Sequence, residues 1–288
     1  MPSKRKPARA DRRSKSAAGI IVALIVGAIT YLALKPSTQV PPRATGCVAG
    51  PADQGFELSP GQAAIAATIA GVASRQHLPD RAVAIAYATA LQESKLANLD
   101  YGDRDSVGVF QQRPSEGWGT TKQIEDPVYA TSRFFAALVA VRGYLHMPIY
   151  EAAQAVQHSA DGSAYAQYAG MGSVLASAFT GTDPRAVWCT YGGSPGQTRL
   201  AAASRTLTSS FGPVSRHVSG DPAETITVQD PRQGWAIASW LMANAAQYGI
   251  TFIRYQGYQW RGFTGAGRWT KQPAGTRPRA APSALVYG

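Results

Sequence analysis

Between Asp80 and Ser94, the residues Val83, Ala86, Ala90 and Glu93 recur at steps of three, four and three. That is the period of an α-helix, so a stripe that is otherwise apolar ends on a carboxylate. Such a helix must lie against other apolar elements, and here it carries an acid inward at its last turn. Asp80 is the expected N-cap. Burial and the negative end of the helix dipole both favour the protonated acid at position 93, which suits a group that donates a proton. The plainer alternative is an ordinary helix-end residue that pairs with Lys95 or with water.

The surrounding pattern is helical over a long stretch. Ser59-Pro60 starts one helix, Asp80 a second, and Asp126-Pro127 a third that carries Phe134, Phe135, Leu138 and Val139 toward Arg142. Ile149 to His158 and Ser163 to Phe179 follow, the latter stopped by Gly181. Glycine-bearing loops alternate with alanine-rich helices from 56 to 189.

Within this stretch, Gln92-Glu93-Ser94 is followed by Ser106-Val107-Gly108-Val109-Phe110-Gln111-Gln112 and then by Arg113, Pro114, Trp118 and Gly119. The combination resembles the active-site stretch of lysozyme-like lytic transglycosylases, in particular secreted actinobacterial members. There a Glu-Ser pair closes a helix and a Ser-x-x-Gly-hydrophobic-hydrophobic-Gln segment follows; here Ser106 and Gly108 stand one residue closer. The resemblance implies that Glu93 is the catalytic acid and that Gln111 and Gln112 line a sugar groove. Gly108 would let the backbone approach the substrate. Trp118 is either a sugar-stacking platform or an aromatic that holds its loop. A second family segment, Ala-Tyr-Asn-Ala-Gly, is replaced by Ala155-Val156-Gln157-His158-Ser159. Gln157 can stand in for the asparagine amide. Val156 has no hydroxyl to brace the acid, and Tyr165 and Tyr168 are the candidates to supply one. His158 reads as a structural hydrogen-bonder.

Most glycosidases use two carboxylates. Asp100, Asp103 and Asp105 follow Glu93 in a loop, and Asp103 or Asp105 could activate water as in goose-type lysozymes; a solvated turn or a weak calcium site is the alternative. Without a second carboxylate, the resemblance implies substrate-assisted cleavage of the MurNAc-GlcNAc bond of peptidoglycan, leaving a 1,6-anhydro sugar. No cofactor and no metal are implied. The competing function is a catalytically inactive peptidoglycan-binding or scaffold protein, suggested by Val156.

Composition bears on location. Seven basic residues against one acid in 1–16 supply +6 of the net charge of +11. They precede the apolar run Ala17–Leu34, about 27 Å long as a helix. A cytoplasmic basic arm, a transmembrane helix at 17–34 and an extracytoplasmic remainder are expected, with nucleic-acid binding by the arm set aside. The segment 35–55, rich in Pro and Gly, reads as a linker. The only two cysteines, Cys47 and Cys189, both fall on the outer side and are expected to form one disulfide.

After a second expected linker at 190–212, within which Leu200–Phe211 reads as a helix, the pattern changes. Residues 213–288 read as a small α+β domain: strand at 224–229, helix at 234–248, strand at 250–255. It resembles a degenerate D-alanyl-D-alanine carboxypeptidase-like module. Those enzymes hold zinc through histidines, yet no histidine follows His217 here, and His217 with Asp221 cannot complete a site. The expected fold class is therefore an N-terminal transmembrane helix, a mainly α lysozyme-like domain and a small α+β accessory domain.

Overall fold

The computed structural model describes residues 45–51, 55–158, 162–220, 223–264, 267–272 and 283–288. Helix α1 (Pro60–Arg75) begins at Ser59 with a reciprocal cap: the Ser59 hydroxyl accepts from the Gln62 amide, and Gln62 Oε1 accepts from Ser59 N. Helix α2 (Asp80–Ser94) is buried on almost every face from Ala82 to Leu91. Pro79 rather than Asp80 is its N-cap, and the Asp80 carboxylate instead takes the Thr182 hydroxyl and an ion pair with Arg232.

Helices α3 (Thr121–Ile124), α4 (Pro127–Ala140), α5 (Ile149–Gln157) and α6 (Ala169–Phe179) complete the first helical layer. The tail of α6 meets the start of α2 through Thr182 and Asp80, while Tyr168, before α6, meets Lys95, after α2. The two helices thus run antiparallel. Their backbones approach so closely that a Cβ on Gly172 would sit 2.7 Å from the Ala84 carbonyl, so any side chain there would have to push α2 away.

Two antiparallel sheets frame these helices. The first has the order β2-β1-β3 and consists of β1 (Gly46–Ala49), β2 (Phe56–Leu58) and β3 (Val187–Thr190). Cys47 stands directly opposite Cys189 in this ladder, and the two form a disulfide that closes a loop of 142 residues. The part of the expected linker at Gly46–Ala49 is accordingly a paired strand. Helix α7 (Leu200–Phe211) follows.

The second sheet has the order β4-β5-β9-β6-β7-β8. It is built from Ser215–Gly220, Ala223–Thr227, Ala284–Tyr287, Ile253–Tyr255, Tyr258–Trp260 and Thr270–Lys271 in that order. Helix α8 (Pro231–Ala243) is buried along nearly its whole length, and the short α9 (Ala245–Tyr248) follows it.

This architecture corrects the expected fold class. The described residues from 45 to 288 form one unit of mixed helix and sheet, not a mainly α domain followed by a separate small α+β domain. A single apolar core runs from Cys47 to Tyr287. Polar bonds also cross the expected boundary: Tyr191 donates to the Met242 carbonyl at 2.7 Å, and Trp260 and Trp269 donate to the Cys189 and Val187 carbonyls at 2.9 and 3.0 Å. The physical reason is that α8 is apolar all round and needs covering on every side, which one small sheet cannot supply. The basic arm 1–16 and the transmembrane helix expected at 17–34 lie outside the described residues. Among the described residues, no helix is long and apolar enough to cross a membrane.

Candidate active site

Glu93 occupies the last turn of α2 and is half-buried. The helix stops because Lys95 and Leu96 both take left-handed backbone angles, with φ of 57° and 59°. Lys95 donates to the Tyr168 hydroxyl at 2.7 Å, and among the described residues it forms no ion pair with Glu93, the alternative partner considered for that acid. The α1 cap residue Gln62 donates to the Lys95 carbonyl at 2.9 Å and pins the helix end from the other side.

The partner of Glu93 is Tyr165. Its hydroxyl donates to Glu93 Oε1 at 2.5 Å from the 3-10 turn Gly162–Tyr168, and the tyrosine is 1 % exposed. Val156, which stands where the resemblance places a tyrosine, is 3 % exposed and packs in the core. The hydroxyl that Val156 lacks is met at Glu93 by one from the element after α5. Among the described residues, only Oε1 of Glu93 carries such a bond.

Ser94, the second member of the Glu-Ser pair, is buried and anchors the next loop. Its hydroxyl donates to the Val109 carbonyl at 2.7 Å and to the Ala90 carbonyl at 3.1 Å. That loop is pinned further by Val107 pairing with Gln112, and by Phe110 stacked on Phe134 with centroids 4.5 Å apart. It is held by Gln157, whose side-chain amide donates to the Phe110 carbonyl at 2.8 Å. Gly108 (φ +79°) is buried, and a Cβ there would lie 2.7 Å from the Ile124 carbonyl. Its open face meets α3, so the glycine is required for packing against protein backbone.

The amides expected in a sugar groove are placed unequally. Gln111 is half-buried at φ 48°, and its Nε2 donates to the Tyr101 and Gly108 carbonyls at 3.2 Å each. Gln112 is 2 % exposed; its Nε2 donates to the Ala130 carbonyl at 3.2 Å, and its Oε1 is buried without a partner among the described residues. Gln112 and Gln157 therefore hold the loop in place. Trp118 is half-buried and lines a cleft of about 640 Å³ with Glu116, Arg133, Val141, Val156 and His158. Glu93 is not among the residues that line this cleft.

In the acidic loop, Asp105 is tied to the segment that follows Gln112. Asp105 accepts from Ser115 N at 2.8 Å, Arg113 Nε at 2.9 Å and Ser115 Oγ at 2.9 Å. The Ser115 backbone bond first, then the side-chain bonds from Arg113 and Ser115, hold its carboxyl down at about 2. Asp100 and Asp103 are exposed. Among the described residues, no three acidic, histidine or cysteine side chains come together as a metal-binding group.

Compared with protein-family models the chain matches none, and no curated protein gives a significant match. Of the two tyrosines expected to supply the bracing hydroxyl, Tyr165 bonds Glu93 and Tyr168 instead takes Lys95. Tyr165 and Glu93 lie 72 positions apart, and no local spacing signals that they meet.

Proposed function

We propose that this protein is a glycosidase of the lytic transglycosylase or muramidase type, which cleaves the MurNAc-GlcNAc bond of peptidoglycan with Glu93 as its single acid and base. One observation carries this reading: a half-buried carboxylate at a helix end, braced on one oxygen by a buried tyrosine hydroxyl and, among the described residues, without a hydrogen bond on the other. In the proposed reaction Glu93 Oε2 protonates the glycosidic oxygen as its bond to C1 breaks, and the acetamido oxygen of the same sugar closes onto C1. The carboxylate then takes the proton of the 6-hydroxyl, which displaces the acetamido oxygen and leaves a 1,6-anhydro ring. Asp105 takes no part, because its oxygens are already engaged with Ser115 and Arg113. The Cys47–Cys189 disulfide supports a location outside the cytoplasm, where thiols are oxidised.

A second reading, a silent wall-binding or scaffold protein, is favoured by a specific observation: Gln112, Gln157 and Gly108 are engaged with protein backbone. Digestion of purified peptidoglycan by wild type and Glu93→Gln separates the two. The enzyme reading expects soluble muropeptides from wild type and a loss of at least about 100-fold in the variant. No release by either protein would leave the binding reading. Mass spectrometry distinguishes anhydro products, lighter by one water, from the reducing ends of a hydrolase.

A further inference from the structure

Opposite the Glu93 end of the helical layer, where α6 gives way to β3, lies a cleft of about 560 Å³. Its aromatic wall consists of Trp188, Tyr258 and Trp269, all half-buried. The wall is rigidly set: Trp269 Nε1 donates to the Val187 carbonyl at 3.0 Å, and Trp235 packs edge-on against Trp269 and Tyr258 at 5.1 and 6.3 Å. Two guanidinium groups lie on this wall, Arg185 at 4.2 Å from the Tyr258 ring centre and Arg268 at 4.4 Å from that of Trp188.

A guanidinium held over an aromatic face keeps its N–H donors free to take an anion, and both arginines are exposed. Among the described residues, neither arginine has an ion-pair or hydrogen-bond partner. Asp183 also lines the cleft and offsets one of the two charges, so the site stays cationic. Positive forks held against aromatic faces suit a ligand that combines a planar carboxylate with a ring able to lie against an aromatic side chain.

We propose that this cleft binds a carboxylate-bearing amino sugar, the lactyl-substituted unit of the same glycan that the proposed function assigns to Glu93. The inference rests on that reading for its choice of glycan. Helix α2 separates the cleft from Glu93 by roughly 20 Å along its axis. The cleft therefore engages a stretch of wall polymer other than the bond being cut, and serves to retain the protein on its substrate.

Tryptophan fluorescence titration of the full chain with N-acetylmuramic acid and, separately, with N-acetylglucosamine tests this. The two probes differ by the lactyl carboxylate. Wild type is expected to prefer the acidic sugar by about tenfold or more, the worth of one charge-assisted hydrogen bond. Arg185→Gln and Arg268→Gln should each erode that preference and the double variant abolish it, while Arg268→Lys keeps part of it. Circular dichroism confirms that each variant is folded. Equal binding of both sugars, no binding of either, equal response to inorganic phosphate, or an unchanged preference in the folded double variant would overturn the proposal. Glu93→Gln should bind N-acetylmuramic acid as wild type does. If the preference is present but no muropeptides are released, the cleft stands and the enzymatic reading falls; if muropeptides are released without the preference, the reverse holds.

Discussion

Among the described residues, Glu93 and Glu224 each accept a hydrogen bond from a buried tyrosine, and they do so in different surroundings. Glu93 takes Tyr165 at 2.5 Å on one oxygen, at the end of a helix beside loops. Glu224 takes Tyr287 at 2.7 Å and Ser204 at 2.6 Å, both on Oε2, and those two hydroxyls lie 3.1 Å from each other. Glu224 belongs to β5, which is paired on both sides by β4 and β9. Burial, the largest cause, pushes the Tyr287 hydroxyl well above its ordinary range. A carboxylate closed into a triangle inside a sheet is a structural joint. Glu93 has a single brace and sits at a helix end; each carboxylate keeps one oxygen without a hydrogen bond among the described residues, so the number of braces and the surroundings set the two apart.

The largest expected effect comes from releasing the frame without touching either pair. Replacing Cys47 and Cys189 together by alanine should destabilise the fold by up to about 5 kcal/mol, given the length of loop the bond closes. The melting temperature should drop by roughly 10–20 °C. The β1–β3 ladder lies at the end of α6 remote from Glu93, so muropeptide release per folded molecule at low temperature should be unchanged. A loss of activity larger than the loss of folded protein would show that the sheet shapes the site.

Next come the two tyrosines, compared directly. Tyr165→Phe should lower muropeptide release by about tenfold, since it removes one hydrogen bond to a charged group. Tyr287→Phe should leave release intact and cost about 1–2 kcal/mol in denaturant unfolding. If both variants lose only stability, the distinction between joint and site fails.

The smallest effect is expected at Asp105, which braces the loop between the two motif segments. Its carboxyl is held at about 2 in the folded protein, below the unfolded value near 4. A depressed carboxyl contributes stability that is fully present above about pH 4 and disappears as pH falls through about 2. Asp105→Asn should therefore melt slightly below wild type at pH 7, and the gap should close toward pH 2. A gap that persists at pH 2 would mean that the brace does not depend on charge.

Much of the local structure is legible in the residues. The starts at Ser59-Pro60 and Asp126-Pro127 follow from caps and N1 prolines, and the helical step of Val83, Ala86, Ala90 and Glu93 places the acid in the last turn of α2. The pairing of two cysteines follows from their being only two. These are short-range matters, settled by periodicity and by the backbone groups that helix ends leave unpaired.

Tertiary structure decided the rest. It made Gly46–Ala49 the central strand of a sheet, paired with nearby β2 on one edge and with β3, which arrives after the helical layer, on the other. It joined 213–288 to the helices through α8, whose apolar surface exceeds what its own sheet can cover. It also supplied Tyr165 to Glu93 and placed Gln112 and Gln157 under the loop rather than on its surface. Side chains whose partners lie far along the chain leave no periodic trace, since the contact that fixes them forms only when the whole core closes.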